Sequence, residues 1–520
     1  MRREPDKLAH ETFDLLVCGG GIYGAWTAYD AALRGLKVAI VEQHDWASST
    51  SSASSKLIHG GLRYLESYDL KLVRKALAER QLYLDHAPYR VWPLRFGVPV
   101  YADSRVGMLR LKVGLLLYDA LSGWRMNGMA HRHFERKAFG MRFPFLKDQQ
   151  LKGGYTYGDA QTDDARLVLE LIAGAQQHGA VCVSQCRVTT IREKKHLACG
   201  ATVIDQLRAT EIHIQARQIV NTTGPWISTA TPSAAWCRMS KGVHLVLPGE
   251  LSDEAILLTA PQDGRVFFII PWYGVTLLGT TDNDYRGDVN KVHVTAADVR
   301  YLLDAANHYL KHTWSEADVL GSYAGVRVMQ RSDAAHPSQL SRDWTLRTGD
   351  NGMHYSVGGK ITSARVDASQ IVDKVCGQLG LHKTSTTHTQ PFPWSPSQTY
   401  ASWRDHLHQQ AQRLHVDAQS AEWLIRRHGT HATAILDSIN ADADLAQRII
   451  PALPLIHADL MWCASHEMVV HLDDLLRRRL PLLILTQMDE TSLHALAQKV
   501  APLLGWDMVR IQSELQRCLP

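Results

Sequence analysis

Three observations predict an α/β chain built in three parts. First, residues 14–42 run as an apolar strand, the turn Gly19-x-Gly21-x-x-Gly24, a helix and a second strand ending at Glu42. That is the βαβ phosphate-binding unit of Rossmann-like dinucleotide folds. Second, segments 243–248, 266–271 and 276–279 read as strands of an antiparallel sheet. Third, beyond Gln390-Pro-Phe-Pro-Trp-Ser-Pro396 the pattern is almost entirely helical to residue 520. The expected map is a discontinuous dinucleotide domain (13–91, 150–235 and 340–385), an inserted antiparallel-sheet domain (92–149 and 236–339), and an all-helical C-terminal domain (397–520).

Each element has its reason. Gly19 permits the tight turn, Gly21 lets the backbone approach a pyrophosphate, and Gly24 lets the helix lie close to the strand. The helix then points its unpaired N–H groups at the phosphates. Glu42 stands eighteen positions after Gly24, where a carboxylate accepts hydrogen bonds from an adenosine ribose. The Ser/Thr run 48–55 follows the second strand, where a cofactor-binding loop would lie. Segment 69–84 predicts an amphipathic helix with Leu72, Ala76, Leu77 and Leu82 on its apolar face. Residues 163–179 predict a helix with acids in its first turn and Gly179 at its end. Strands resume at 181–184 and 219–221. The three prolines of 390–396 predict a linker.

Composition narrows the function. The 520 residues suit two or three domains with a large core. A net charge of +4 with no basic tail argues against a nucleic-acid partner. The N-terminal residues lack an apolar stretch, so neither a secretory signal nor an anchor is expected. No apolar run is long enough for a membrane span. The eight cysteines and 26 histidines are scattered without zinc spacing, so no metal site is expected.

The run Thr50-Ser-Ser-Ala-Ser-Ser-Lys-Leu-Ile-His-Gly-Gly-Leu-Arg-Tyr-Leu-Glu66 resembles the signature of FAD-dependent glycerol-3-phosphate dehydrogenases of the aerobic type. Matches recur in order at Asp163–Val168, Thr223–Trp226, Lys241-Gly-x-His244, Gly279–Asp282, Gly325–Arg327, Ser341–Asp343 and Gly358–Thr362, and the helical tail is similar too. The sequence departs from the family at Tyr23, Trp26, Val328 and Ala364. The resemblance implies a D-amino-acid-oxidase-like pair of domains, for FAD and for substrate. It implies oxidation of sn-glycerol 3-phosphate to dihydroxyacetone phosphate, with electrons passing to a membrane quinone. A related flavin oxidoreductase or oxidase acting on another hydroxy or amino acid is the alternative.

The expected FAD ligands are Gly19, Gly21, Gly24, Glu42, Thr50, Ser51, Ser55, Gly60, Gly61, Gly224, Gly359, Lys360 and Thr362. A helix after Gly358-Gly359 would turn its N-terminus to the flavin and favour negative charge there. Arg327 and Arg342 are candidates for the substrate phosphate, because guanidinium matches phosphate oxygens as a fork. Arg63, Tyr64 and His244 are candidates for the same pocket, and Tyr64 reads equally as a packed core residue. His59, beside two glycines, is either the base that takes the hydroxyl proton or a structural histidine of the cofactor loop. Lys360 either holds a developing alkoxide or the flavin edge, or pairs with phosphate. Segment 108–121, apolar with Arg110 and Lys112 embedded, reads as a membrane-surface helix or a core helix. The expected location is cytoplasmic, peripheral to the membrane, and a homodimer is compatible with the resemblance.

Overall fold

The computed structural model of the chain describes residues 1–65, 69–123, 128–228, 236–331 and 343–519, and of Arg63 the backbone alone. Two sheets organise it. In the first, strands run side by side in the order Thr345–Thr348, His354–Val357, Thr210–Asn221, Thr12–Cys18, Val38–Val41 and Val181–Val183. Thr12–Cys18 pairs in parallel with Val38–Val41 on one side and Thr210–Asn221 on the other. Leu15, Leu16 and Val17 are all fully buried, as a strand covered on both faces requires. This strand stands where the sheet is extended to either side, by Val38–Val41 and Val181–Val183 on one and by Thr210–Asn221 and His354–Val357 on the other, so a crevice opens at its carboxyl end.

The second sheet runs in the order Asn283–Asp284, Cys237–Leu247, Val275–Gly279, Val266–Trp272, Ala255–Thr259, Val91–Tyr101, Leu151–Thr162 and Leu57–Ile58. Gly321–Gln330 adds antiparallel to Cys237–Leu247. The expected antiparallel strands are therefore present and paired. One boundary moves. Leu151–Thr162, expected in the dinucleotide domain, pairs along its length with Val91–Tyr101 in the second sheet. Its small residues hid a strand interior to the second sheet, paired with Val91–Tyr101 on one side and with Leu57–Ile58 and Arg132–Glu135 on the other.

The helices mostly stand where periodicity places them. Leu70–His86 is capped by the Asp69 carboxylate on the Leu72 N–H, and Tyr83 rather than Leu82 completes its buried face. Asp164–Gln177 is capped by Asp163, and the chain leaves it through Gly179 at φ +88°. The proline segment is not a loose linker. Phe392 and Trp394 are buried, and the Trp394 N–H donates to Glu170 Oε1 at 3.0 Å. The tail supplies Leu424 and Ile435 to the core of the first sheet and Leu460, Leu476 and Leu493 to the core of the second.

Candidate functional site

A crevice of about 740 Å³ opens where the two sheets meet, of a size suited to an organic cofactor and substrate. Its inner end is the glycine turn. Gly19 has φ +108°, and a Cβ there would stand 2.8 Å from the Thr222 carbonyl oxygen. A Cβ at Gly24 would stand 1.9 Å from the Gly19 oxygen, so the helix Ile22–Leu33 packs on its strand only because residue 24 is bare. Gly21 differs: a Cβ there would meet only the Ser51 hydroxyl, at 3.0 Å, because this face opens on the crevice. Ser51 Oγ accepts the Ile22 N–H at 2.9 Å, which leaves its own proton to donate. Glu42 accepts the Gly20 N–H at 2.6 Å and the His44 N–H at 2.9 Å. Burial raises its pKa, and the two N–H groups oppose that rise. A dinucleotide fits these residues: a bare glycine cradle, a pinned carboxylate and a helix N-terminus meet on one wall.

The Ser/Thr loop forms the next wall. Thr50 Oγ1 donates to the Val326 carbonyl at 2.6 Å, which ties the loop to the second sheet. Lys56 and Ser54 both bond the buried Asp164, so the loop is also anchored to the helix Asp164–Gln177. At the far end Gly358 and Gly359 have φ of +76° and +99°. Tyr23 fills the space a side chain at 359 would need, with its hydroxyl 1.8 Å from where that Cβ would be. The Tyr23 hydroxyl donates to Asp367 at 2.8 Å and accepts the Lys360 N–H at 3.1 Å. The turn Ile361–Ser363, whose first two residues line the crevice, and the helix Ala364–Gln378 follow.

His59 and Tyr64 line the crevice, and the His59 N–H donates to Thr362 Oγ1 at 3.2 Å. Lys360 Nζ lies 3.6 Å from the centre of the Tyr64 ring. Arg327 comes from the strand Gly321–Gln330 and donates to Thr280 Oγ1 at 2.8 Å, with Asp282 Oδ1 at 3.5 Å. Arg327 is among the residues that line the crevice.

Gly19, Gly21, Glu42, Thr50, Ser51, Ser55, His59, Tyr64, Gly224, Arg327, Gly359, Lys360 and Thr362 thus share one cavity. Other expected residues stand behind it. Gly24, Gly60 and Gly61 shape the backbone; Gly60 donates its N–H to the buried Asp159 at 3.2 Å. His244 corrects an expectation. It is fully buried, stacked on Tyr323, and reaches the crevice only through Ser55 Oγ at 2.9 Å from Nε2. Burial, with Arg327 and Lys56 adding to it, holds its pKa well below the usual histidine value. Arg342 and the Arg63 side chain lie outside the described residues. Sequence reasoning gave no role to Thr280 or Asp367, although the Gly279-Thr-Thr-Asp282 match pointed at the first. Trp26 does not crowd the turn, since it packs against Tyr83 and Phe392 in the core.

Comparison with known proteins gives a family for both the sheet-containing part and the tail. Residues 14–365 match the family described as FAD dependent oxidoreductase, and residues 387–511 match the C-terminal domain of alpha-glycerophosphate oxidase. A glycerol-3-phosphate dehydrogenase of Synechocystis sp. is 33% identical, covering 99% of this chain and 97% of its own. The aerobic glycerol-3-phosphate dehydrogenase of Escherichia coli K12 is 34% identical, covering 90% and 94%. Among solved structures, the glycerol-3-phosphate dehydrogenase from Bacillus halodurans complexed with FAD superposes with a TM-score of 0.80 at 26% identity, covering 98% of this chain and 94% of that one.

Proposed function

The chain belongs to the FAD dependent oxidoreductase family and carries the C-terminal domain of alpha-glycerophosphate oxidase, and from that premise we propose that it oxidises sn-glycerol 3-phosphate to dihydroxyacetone phosphate. The relatives' names supply the substrate. The observation that carries the reading is a convergence: Arg327 from one sheet and the Gly358–Lys360 turn from the other open on the crevice that starts at Gly19.

FAD, when bound, accepts the hydrogen and its electron pair from the carbinol carbon. The protein's residues do the rest. The Gly19–Gly24 turn, Ser51 and Glu42 hold the pyrophosphate and ribose. The Gly358-Gly359 turn would let backbone approach the flavin, and the N-terminus of the following helix Ala364–Gln378 would favour negative charge on it. Arg327 takes the substrate phosphate by charge-assisted hydrogen bonds. His59 accepts the hydroxyl proton at a ring nitrogen, and Lys360 steadies the charge that grows on that oxygen. Phe268 and Val328, also in the wall, keep water from the reacting carbon.

The electron acceptor in this proposal is a quinone at the cytoplasmic face of the membrane. No helix among the described residues is long and apolar enough to cross a membrane. Helix Met108–Leu121 instead exposes Leu109, Val113, Leu116 and Leu117 along one stripe, with Arg110 and Lys112 exposed beside it. Such a helix lies in the lipid interface and holds the protein at the surface. Val328 in the crevice wall keeps a second reading in play, in which oxygen is the acceptor. Anaerobic addition of glycerol 3-phosphate should bleach the yellow holoenzyme within seconds; flavin that stays oxidised for minutes refutes the substrate. Peroxide formed in step with substrate consumed would replace the quinone by oxygen.

A further inference from the structure

The loop that follows Glu42 is held from outside the dinucleotide fold. Trp46 is fully buried, and its ring lies where a side chain at Gly20 would go, 2.4 Å from that Cβ position. The Ala47 N–H closes the loop by donating to the Gly20 carbonyl at 3.1 Å. Trp46 is thus the back wall of the phosphate turn. Its indole N–H points to Met468 Sδ at 3.3 Å, a residue of the helical tail.

The neighbouring Asp45 carries a second tie. It is 1% exposed, yet its pKa is lowered, because Arg479 and Arg478 outweigh the burial that would raise it. Arg478 Nε donates to Asp45 Oδ2 at 2.5 Å, and Arg479 Nη1 donates to the same oxygen. Both arginines lie in a single π-helical turn, Leu475–Arg479. Both arginines are pre-set: Arg478 also donates to Asp474 Oδ1 at 2.6 Å, and Arg479 Nη2 to the Glu467 carbonyl at 2.8 Å. Buried ion pairs are a weak source of stability, and this one acts on geometry through a single atom, Asp45 Oδ2, which accepts from both arginines.

We propose that the helical tail is a working part of the cofactor site: Met468, Arg478 and Arg479 act as positioning residues that hold Asp45 and Trp46, and through them the phosphate turn and the ribose-binding Glu42. The tail then sets how long the adenosine half of FAD stays bound. This rests on the FAD reading above, and one experiment separates the two. Full-length wild type, Asp45→Asn and Met468→Leu are compared for FAD dissociation rate, ADP affinity and urea midpoint. Asp45→Asn keeps the shape of the side chain and leaves Arg478 its bond to Asp474; Met468→Leu removes the sulfur that accepts from Trp46 and, at 3.6 Å, from the Ser184 hydroxyl. FAD should leave Asp45→Asn about tenfold faster and Met468→Leu about threefold faster, with ADP affinity falling by matching factors and the flavin spectrum of the bound form unchanged. Wild type without affinity for FAD or ADP would refute the cofactor reading itself. Wild type that binds both, with variants that hold them equally well, would overturn the tail's role alone. Variants that lose FAD only in step with a lowered urea midpoint would assign the contact to stability and overturn it too.

Discussion

Arg327 reaches the crevice because residue 242 has no side chain. A Cβ there would stand 2.3 Å from Arg327 Nη2, so the guanidinium lies flat across Gly242 on its way to Thr280. Two substitutions should therefore act alike. Arg327→Ala removes the phosphate contact and Gly242→Ala pushes it aside. Each should raise the KM for glycerol 3-phosphate about tenfold to a hundredfold, the range for losing about 1.5–3 kcal/mol of charge-assisted bonding, with FAD still bound. Steady-state kinetics with the flavin absorbance as a check decide it; an unmoved KM removes Arg327 from the phosphate. Much at this scale was legible. Gly19, Gly21, Gly24 and Glu42 are encoded by spacing within one βαβ unit, so their positions follow from the chain itself. Tyr23 was not, because what it touches is Asp367, 344 residues away, and the sequence marks it only as a departure from the family. His244 failed for the same reason: its motif fixes its order in the chain, and only the pairing of Cys237–Leu247 with Gly321–Gln330 decides that it lies beneath Ser55.

At the scale of elements, composition misled where packing partners were distant. Three prolines suggested a linker, yet Trp394 packs on His431 with ring centres 5.0 Å apart and the strap seals the tail to the core. Burial lowers the His431 pKa to about 4, with His428 adding to it. The unfolded chain takes up a proton there below about 6.5 and the folded chain does not, so this group costs stability as pH falls through that window. His431→Gln should flatten the decline: relative to the variant, wild type should lose about 2 kcal/mol between roughly pH 7 and pH 4.5. Urea unfolding at both pH values checks this, and identical slopes would show His431 titrating normally. Helix Met108–Leu121 was ambiguous in sequence because its apolar residues surround it; the fold buries Leu115, Tyr118 and Asp119 and leaves Leu109 at 76% and Val113 at 59% exposed. Leu109→Asp with Val113→Asp should abolish sedimentation with phospholipid vesicles and leave anaerobic flavin reduction by substrate intact. Undiminished vesicle binding would move the membrane contact elsewhere.

For the molecule as a whole, the tail is the element whose absence the other two parts could not absorb. Arg166 on the dinucleotide side makes a buried bidentate pair with Glu467, and Arg90 donates to the carbonyls of Arg426 and Arg427 at 2.7 and 2.9 Å. On the other side a Cβ at Gly321 would stand 2.2 Å from the Ile484 carbonyl oxygen, so backbone meets backbone at the second sheet. Removing the tail would take from Arg166 its carboxylate partner Glu467, leave Arg90 with Glu170 but without its two carbonyl acceptors, and uncover apolar surface of both cores at once. The three parts should therefore melt together, although chains of this length commonly unfold by domains. Flavin absorbance, tryptophan fluorescence and far-UV circular dichroism should give one coincident urea midpoint. Free FAD at about a hundred times its Kd should shift all three by the same amount, near 2.7 kcal/mol by mass action. A helical transition that precedes flavin loss would show that the tail folds by itself. It would also break the mechanical link from Arg479 through Asp45 to the glycine turn, since a part that detaches freely cannot fix the geometry of the part it leaves.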